Sequence, residues 1–371
     1  MKEVRDFAGF VLPFTAGIAL ASYLIPTDIR VMQSAGLAAL VLTSALLLIL
    51  IHLYGNTPDD KILRVIIISI GACCGAFIAL SRGITDMCSD EWQTWEAAAR
   101  AGRGIGTSID GIPFRHEHTN AVIKALIIGE RSGIPHEISE AFRNSGASHI
   151  LALSGFHLGI IYGILSAALS VIGNTERSKR LRSALTVAFC GFYTLATGAG
   201  ASITRAFIFV VLKETARLTH RHTGTARILL SAMLVQLVFS PSSIKSASFQ
   251  LSYAAMAGIA FIYPRLRKLW PGDGKDDGIA IKGARWLWES AALSISCQLT
   301  TGPLAWLYFR SFPQHFLLTN LIALPLTSLL IPLSLLTLIL HGTGHCPDQV
   351  IMITEYLVTA LTRSLEVISS M

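Results

Sequence analysis

The sequence predicts an all-α polytopic membrane protein, with about 10 to 11 transmembrane helices and further amphipathic helices in the membrane interface. Composition is the first reason: of the 371 residues, 52% are hydrophobic and 14% are charged, whereas soluble domains carry roughly 25% charged residues. Length is the second, because several apolar runs approach or exceed the ~20 residues that cross a bilayer core of ~30 Å. These runs cover residues 7–25, 35–53, 65–80, 151–172 and 316–340.

The first element is expected to be a three-helix membrane segment over residues 1–81. Its opening apolar run resembles a signal peptide. However, Glu3 and Asp6 lie among the preceding basic residues, and no clean small-residue cleavage site follows. We therefore interpret this run as the first transmembrane helix.

Basic residues fall into alternate loops of the predicted bundle. Cytoplasmic loops of membrane proteins collect Lys and Arg, so three basic clusters are expected to face the cytoplasm. The clusters are Arg177, Lys179, Arg180 and Arg182; Lys213, Arg217, Arg221 and Arg227; and Arg265, Arg267, Lys268, Lys275, Lys282 and Arg285. The connections between them, residues 198–204 and 241–247, hold one basic residue, Lys245. Counted back along the chain, this pattern predicts a cytoplasmic N-terminus.

Residues 81–148 then lie outside, and residues 82–118 are expected to form an external polar loop. The glycine-rich string at 102–106 lacks the lysine and the spacing of a phosphate-binding loop, so we predict an ordinary loop there. Residues 119–144 alternate apolar and charged side chains at helical spacing, which is typical of helices in the outer interface or over a bundle mouth.

A membrane domain is expected over residues 119–340, followed by a C-terminal helix over 341–371. The span count after Trp286 stays open because Pro303, Pro325 and Pro332 interrupt long apolar runs. Such breaks survive in a membrane where protein or a cavity satisfies the freed backbone groups.

The stretch from His149 to Gly159 combines histidines, a serine and glycines at the start of an apolar run. Polar groups in hydrocarbon are costly, so such a helix is expected to line a polar cavity or pathway. Ser154 and His157 are three residues apart and share a helical face if the run is helical throughout. They have three interpretations: a lining for a passing substrate, a structural pair between helices, or a catalytic pair, for which no acidic partner is evident.

Arg205 is the second polar residue that stands out in an apolar stretch, and it follows small residues that include Gly200 and Ser202. One interpretation is an arginine that extends to the interface. The other is a fixed cation at the outer entrance of a cavity, suited to phosphate or carboxylate.

Gln250 and Asn320 lie near the outer ends of two further predicted spans. Each could make a helix–helix hydrogen bond or, together with the residues above, line an outward-facing vestibule. No metal site is expected, because the pairs His116 with His118 and His220 with His222 lack a third ligand. No cofactor is expected, and the six cysteines imply no disulfide framework.

The order of these motifs resembles the ComEC/Rec2 family, the inner-membrane DNA channel of bacterial natural competence. The matching residues are Gly129-Glu130-Arg131-Ser132, Phe142, Ser145-Gly146, His149, Ser154-Gly155-Phe156-His157-Leu158-Gly159, Gly200, Ser202, Arg205-Ala206, Phe249-Gln250-Leu251-Ser252-Tyr253, Pro303, Phe316, Asn320, Pro325 and Pro332. The resemblance covers about residues 120–340.

The resemblance implies a multi-pass protein of the bacterial inner membrane that passes single-stranded DNA from the outside to the cytoplasm and is not an enzyme. It assigns the DNA path or vestibule to His149, Ser154, His157, Ser202, Arg205, Gln250 and Asn320, and a structural role to Gly129, Gly146, Gly155, Gly159, Gly200 and Pro325. Implied partners are single-stranded DNA and membrane lipid, with a possible homo-oligomer.

Two family domains, an external β domain and a C-terminal metallo-β-lactamase-like domain, have no counterpart in this sequence. A short form is therefore expected to depend on a separate nuclease, an external DNA-receiving protein, and a cytoplasmic motor or strand-binding protein. The alternatives are a transporter of a small anionic solute, an intramembrane enzyme that uses Ser154 and His157, and a remnant that transports nothing.

Overall fold

A computed structural model describes residues 2–24, 29–54, 60–88, 96–219, 224–270, 278–310 and 314–371. All regular secondary structure in these ranges is helical, which confirms the predicted all-α class. The described residues form two compact units. The first unit holds residues 2–88 and 224–253 within those ranges, and the second unit holds the rest.

The helices follow one another through short connections. In the first half of the chain they are α1 (Lys2–Leu24), α2 (Ile29–Tyr54), α3 (Asp60–Cys88), α4 (Glu96–Asp110), α5 (Glu117–Ile127), α6 (His136–Asn144), α7 (Ser148–Leu151), α8 (Gly155–Ala168), which continues as a 3-10 turn (Leu169–Ile172), and α9 (Glu176–Ala196). In the second half they are α10 (Ala201–Leu218), α11 (Thr225–Phe239), a 3-10 turn (Pro241–Lys245), α12 (Ala247–Ala257), a π-helical turn (Gly258–Ile262), α13 (Tyr263–Arg267), α14 (Ile279–Phe309), α15 (Phe316–Gly342) and α16 (Asp348–Ser369).

Small residues let α1 and α3 pack closely in the first unit. A Cβ atom added at Gly17 of α1 would collide with the carbonyl of Ala72, and one added at Gly75 of α3 would collide with the carbonyl of Phe14. Close backbone approach of this kind is how membrane helices gain packing energy without a hydrophobic driving force between them.

Four helical segments in the described ranges are long and apolar enough to cross a membrane: Phe7–Leu24, Arg64–Ser81, Gly155–Ile172 and Phe316–Gly342. Two shorter apolar helices cover Val31–Leu47 and Thr225–Phe239. The protein is therefore a polytopic membrane protein. The count of about 10 to 11 spans and the cytoplasmic N-terminus stay predictions.

The core of the second unit lies where α5, α6 and α7 pack against α15 and α16. Its buried residues include Leu126 of α5, Phe142 of α6, Leu330 of α15 and Val358 of α16. The amphipathic pattern predicted for residues 119–144 is therefore confirmed: α5 and α6 bury their apolar faces, while Lys124 and Glu140 pair with other charged side chains at the surface.

The glycine-rich string at 102–106 does not form the predicted loop, since these residues lie inside α4. Gly102 explains the difference, because a Cβ atom at this position would collide with the carbonyl of Ala196 in α9. Glycine serves here to bring α4 against α9, and α4 also buries Ile109 in the core of the second unit. The predicted placement of residues 82–118 outside the membrane, and the domain boundaries, stay predictions.

The structure also shows which apolar runs are continuous helices. The apolar run predicted from residue 151 is divided, because α7 ends at Leu151 and α8 begins at Gly155. Conversely, α14 continues through Pro303, and α15 continues through Pro325 and Pro332. Membrane helices tolerate proline where neighbouring groups satisfy the freed carbonyls.

Candidate functional site

The site begins at the start of α8, where Ser154 is the N-cap residue and His157 lies in the first turn. The Ser154 backbone N–H donates to Nδ1 of His157 at 3.3 Å, and the Ser154 hydroxyl oxygen lies 3.0 Å from the same nitrogen. Side-chain caps of this kind satisfy backbone groups that a helix start leaves open. Ser154 therefore lies just outside the helix rather than on its face, yet the two predicted residues do meet.

His157 is fully enclosed, with 1% of its surface exposed. Its second ring nitrogen, Nε2, is buried and has no hydrogen-bond partner among the described residues. The Nδ1 of the ring accepts the hydrogen bond that caps the helix, which is a structural role. The Nε2 makes no such contact among the described residues. A catalytic pair would instead need Nδ1 or Nε2 held by an acid.

Arg205 occupies the first turns of α10, which starts after a tight turn that contains Ala199 with φ of 48°. Its side chain is 1% exposed, and its Nη2 donates to the hydroxyl of Ser202 at 2.9 Å. The arginine is thus folded into the protein instead of extending to a surface. Burial of a guanidinium is costly, and the role of Arg205 as a fixed cation at the outer entrance of a cavity stays a prediction.

The starts of α8 and α10 approach each other. A Cβ atom added at Gly155 would lie 3.4 Å from the Cβ of Ala206, the residue that follows Arg205. Leu158 and Ile203, the neighbours of His157 and Ser202 in sequence, belong to one buried cluster. The structure therefore brings two of the predicted polar pairs to adjacent parts of two packed helices.

His149 and Asn320 lie near the connection between α6 and α7. The Nδ1 of His149 donates to the carbonyl of Gly146 at 3.1 Å. Thr319, which precedes Asn320, donates to the carbonyl of Ser145 at 2.7 Å. The Asn320 Oδ1 is buried without a partner among the described residues.

Gln250 belongs to the first unit, where its side-chain amide donates to the carbonyl of Ile244 at 2.9 Å. This contact is local, since Ile244 lies in the turn that precedes α12, and it differs from the helix–helix hydrogen bond that was one of the two expectations. Its place on a DNA path stays a prediction.

Two of the glycines predicted to be structural are required by backbone geometry. Gly129 ends α5 with φ of 80°, and Gly146 ends α6 with φ of 84°; L residues with a side chain rarely adopt such values. Gly159 and Gly200 have no heavy atom within 4 Å of an added Cβ, so packing does not explain glycine at either position.

The sequence interpretation missed a buried carboxylate in the second unit, Glu214 of α10, which is 2% exposed. Its oxygens accept hydrogen bonds from Tyr162 at 2.6 Å and from Ser183 at 2.7 Å, and Arg217 lies 3.7 Å away. Glu214 thus joins α8, α9 and α10. The available signal was an acidic residue between Lys213 and Arg217, but the sequence interpretation considered only the basic residues of this stretch.

A second buried carboxylate, Glu355 of α16, holds the start of α5. The side chain and the backbone N–H of His116 contact one of its oxygens at 2.8 and 2.7 Å. Burial by itself would raise the pKa of this carboxyl, but the hydrogen bonds from His116 and from the backbone of Arg115 outweigh it and lower the pKa below its ordinary value. His116 and Glu355 thus form a hydrogen-bonded pair between the start of α5 and α16.

No group of three or more His, Cys, Asp or Glu side chains that could hold a metal ion occurs within the described ranges. His220 and His222 lie outside the described residues. The second unit thus holds a buried arginine, a histidine that caps a helix start, and several buried polar atoms among apolar helices.

Comparison with known proteins identifies the family. The family model described as Competence protein matches residues 126–371, which is the part of the chain that contains α6 to α16 and both helix starts described above. No solved structure matches the chain.

Curated relatives include ComE operon protein 3 of Bacillus subtilis (strain 168), which is 24% identical over 214 residues, 58% of this chain and 24% of the relative. Recombination protein 2 of Haemophilus influenzae (strain ATCC 51907 / DSM 11121 / KW20 / Rd) is 24% identical over 224 residues, 59% of this chain and 28% of the relative. Uncharacterized protein YcaI of Escherichia coli (strain K12) is 26% identical over 231 residues, 61% of this chain and 30% of the relative. The matched part thus spans less than a third of each relative. With two thirds of its length matched by the family model, the chain belongs to the competence protein family.

Proposed function

We propose that this protein is a membrane component of DNA uptake in natural transformation, and that it passes single-stranded DNA from the outside to the cytoplasm across the bacterial inner membrane. The observation that carries the proposal is the competence family match over residues 126–371. That range includes the buried Arg205 and His157, whose side chain caps the start of α8.

The physics of the cargo supports a path through these residues. A DNA strand carries one negative charge per nucleotide, and apolar helices alone would strip its hydration without compensation. A buried guanidinium can offset part of that cost, because Arg presents several donors in a planar fork that suits phosphate oxygens. Arg205 already donates to Ser202 within α10, so its position is fixed before an anion arrives.

The expected direction follows from the charge distribution. With a cytoplasmic N-terminus, the start of α9 and the end of α10 lie on the cytoplasmic side, and both carry clustered Lys and Arg residues. These clusters would attract the emerging phosphate backbone, an attraction that weakens as salt concentration rises.

The proposal includes several partners and no catalytic role. The protein would contact single-stranded DNA and membrane lipid, and it would work with a separate nuclease, an external DNA-receiving protein, and a cytoplasmic motor or strand-binding protein. Assembly as a homo-oligomer is part of the proposal, and cross-linking of the purified protein in membranes would test it.

Uptake of labelled DNA in the native host tests this function. We compare a deletion strain with the same strain complemented by the intact chain, and measure label that reaches the cytoplasm separately from label that stays outside. The deletion is expected to leave DNA bound outside, and the intact chain is expected to restore uptake. Unchanged uptake in the deletion strain would refute the proposal.

A transporter of a small anionic solute is the alternative that the buried Arg205 also suits. The two functions differ in their response to cargo length. Long oligonucleotides should pass or block a strand channel, whereas a carrier for small anions should be indifferent to them.

A further inference from the structure

We propose that His157 is a neutral hydrogen-bond donor to the translocating strand, and that its Nε2–H contacts the phosphate oxygens. This inference rests on the proposed function and deepens it, because it names the atom, the tautomer and the part of the nucleotide that is recognised.

The tautomer follows from the cap of α8. A backbone N–H always donates, and that of Ser154 points at Nδ1 of His157 from 3.3 Å. Nδ1 must therefore accept, which means that it carries no proton. A neutral imidazole then carries its proton on Nε2. An imidazolium would place two donors face to face and would break the cap.

The Nε2–H is thus a donor, and it is buried with no partner among the described residues. Buried polar groups in proteins are nearly always paired, and each exception calls for an explanation. Capping explains Nδ1 but leaves Nε2 unexplained, because an acceptor at the Nδ1 position alone would cap the helix equally well. A ligand that brings its own acceptor explains the second nitrogen.

The position of His157 close to Arg205 favours the strand as its ligand. Its neighbour Leu158 packs in the same buried cluster as Ile203 of α10. Gly155, two residues earlier, faces Ala206, which follows Arg205. The start of α8, which carries His157, therefore lies beside the first turns of α10, which carry Arg205.

Phosphate oxygens are the acceptors that fit this role. They occur in every nucleotide, so a contact with them does not depend on sequence, whereas base edges differ from one nucleotide to the next. A neutral donor also suits transit, because passage requires binding strong enough for access and weak enough for release. A second buried cation beside Arg205 would hold the polyanion more tightly.

Two substitutions separate the two nitrogens of His157. In His157→Asn the side-chain oxygen can accept from Ser154 at the place of Nδ1, but the donor at the place of Nε2 is lost. In His157→Gln the amide can donate from the place of Nε2, while the cap is weakened. His136→Asn, an exposed histidine of α6, is the matched control.

The measurement is binding of a labelled single-stranded oligonucleotide to the full-length protein in detergent, by fluorescence anisotropy, with melting temperature measured in parallel. We expect His157→Asn to bind about tenfold more weakly than the intact chain, as for loss of one hydrogen bond to a charged acceptor. His157→Gln should bind more tightly than His157→Asn although it melts at a lower temperature.

The opposite order of binding, or equal binding by the two variants, would overturn the inference and leave His157 as a helix cap only. If His157→Gln does not fold, His157→Asn decides alone, since intact-like binding would refute the donor role. An intact chain that binds no strand would instead refute the proposed function itself.

An abasic oligonucleotide identifies the recognised part of the nucleotide. It keeps the phosphates and lacks the bases, so the difference between the intact chain and His157→Asn should persist with it. A difference that disappears with the abasic strand would assign the contact to bases and contradict the inference.

Discussion

At the scale of single residues, the interior of the second unit depends on a few polar side chains that are held by specific partners. Glu214 accepts hydroxyl donors from two other helices, and Glu355 accepts from His116. Buried charges of this type are costly to desolvate and costly to leave without partners. Their removal should therefore affect folding more than removal of surface charges.

Replacement of Glu214 tests this directly. Glu214→Leu leaves the hydroxyls of Tyr162 and Ser183 buried without their acceptor, so we expect a loss of about 3 kcal/mol of folding free energy. Glu214→Gln keeps one acceptor oxygen and should lose about 1 kcal/mol. Thermal unfolding of the purified protein measures both.

Glu176→Gln is the control for Glu214, because this exposed residue of α9 pairs with Lys179 at the surface. Exposed pairs contribute at most about 1 kcal/mol. If Glu214→Leu and Glu176→Gln unfold at the same temperature, the buried carboxylate does not join the three helices as described.

Glu355 predicts an acid-sensitive contact between α5 and α16. The folded-state pKa of its carboxyl is lowered, so its stabilising contribution is complete above the unfolded pKa, about 4.3. The contribution is lost as pH falls through the lower folded pKa. Melting temperature measured from neutral pH down to pH ~3 should therefore fall less steeply in Glu355→Gln than in the intact chain. Parallel curves at acidic pH would contradict this assignment.

At the scale of elements, the sequence predicted helices well wherever one apolar face repeats at helical spacing. Leu126 and Phe142 of α5 and α6 are buried as that spacing requires. The prediction of a loop at 102–106 was wrong, because glycine residues occur both in loops and where two helices pack closely. In α4, Gly102 permits contact with the backbone of α9. No local pattern shows which helix will approach another so closely.

Some residues of the candidate site were predictable from the sequence and others were not. An arginine and a histidine in apolar stretches were recognisable in the sequence, and both are buried in the structure. The cap at Ser154 was not recognised, because the apolar run around it continues on both sides. Glu214 was missed because its partners come from helices distant in sequence.

The glycine that ends α5 gives a test at this scale. Gly129 has φ of 80°, and an added Cβ would lie 2.5 Å from Leu153. Gly129→Ala should therefore destabilise the protein by about 1–3 kcal/mol. Gly104→Ala is the matched control, since it lies inside α4 with nothing within 4 Å, and alanine is favoured over glycine in helices. Equal melting temperatures for the two variants would contradict the requirement for glycine at position 129.

At the scale of the whole molecule, the described chain is a polytopic membrane protein with two compact units, and the family match falls mainly on the second unit. The second unit contains Arg205, His157 and both buried carboxylates. The net charge of +7 is concentrated in loops that are predicted to face the cytoplasm, which is compatible with the proposed inward passage of a polyanion.

The most direct test of a DNA path through the second unit is uptake of labelled DNA by strains that carry Arg205→Ala. Arg143→Ala is the control, because Arg143 is an exposed arginine of α6 that pairs with Glu140. At equal amounts of protein in the membrane, we predict that Arg205→Ala lowers the DNA that reaches the cytoplasm by about tenfold or more. Arg143→Ala should match the intact chain. Uptake at the intact level in Arg205→Ala would contradict a path that depends on the buried cation.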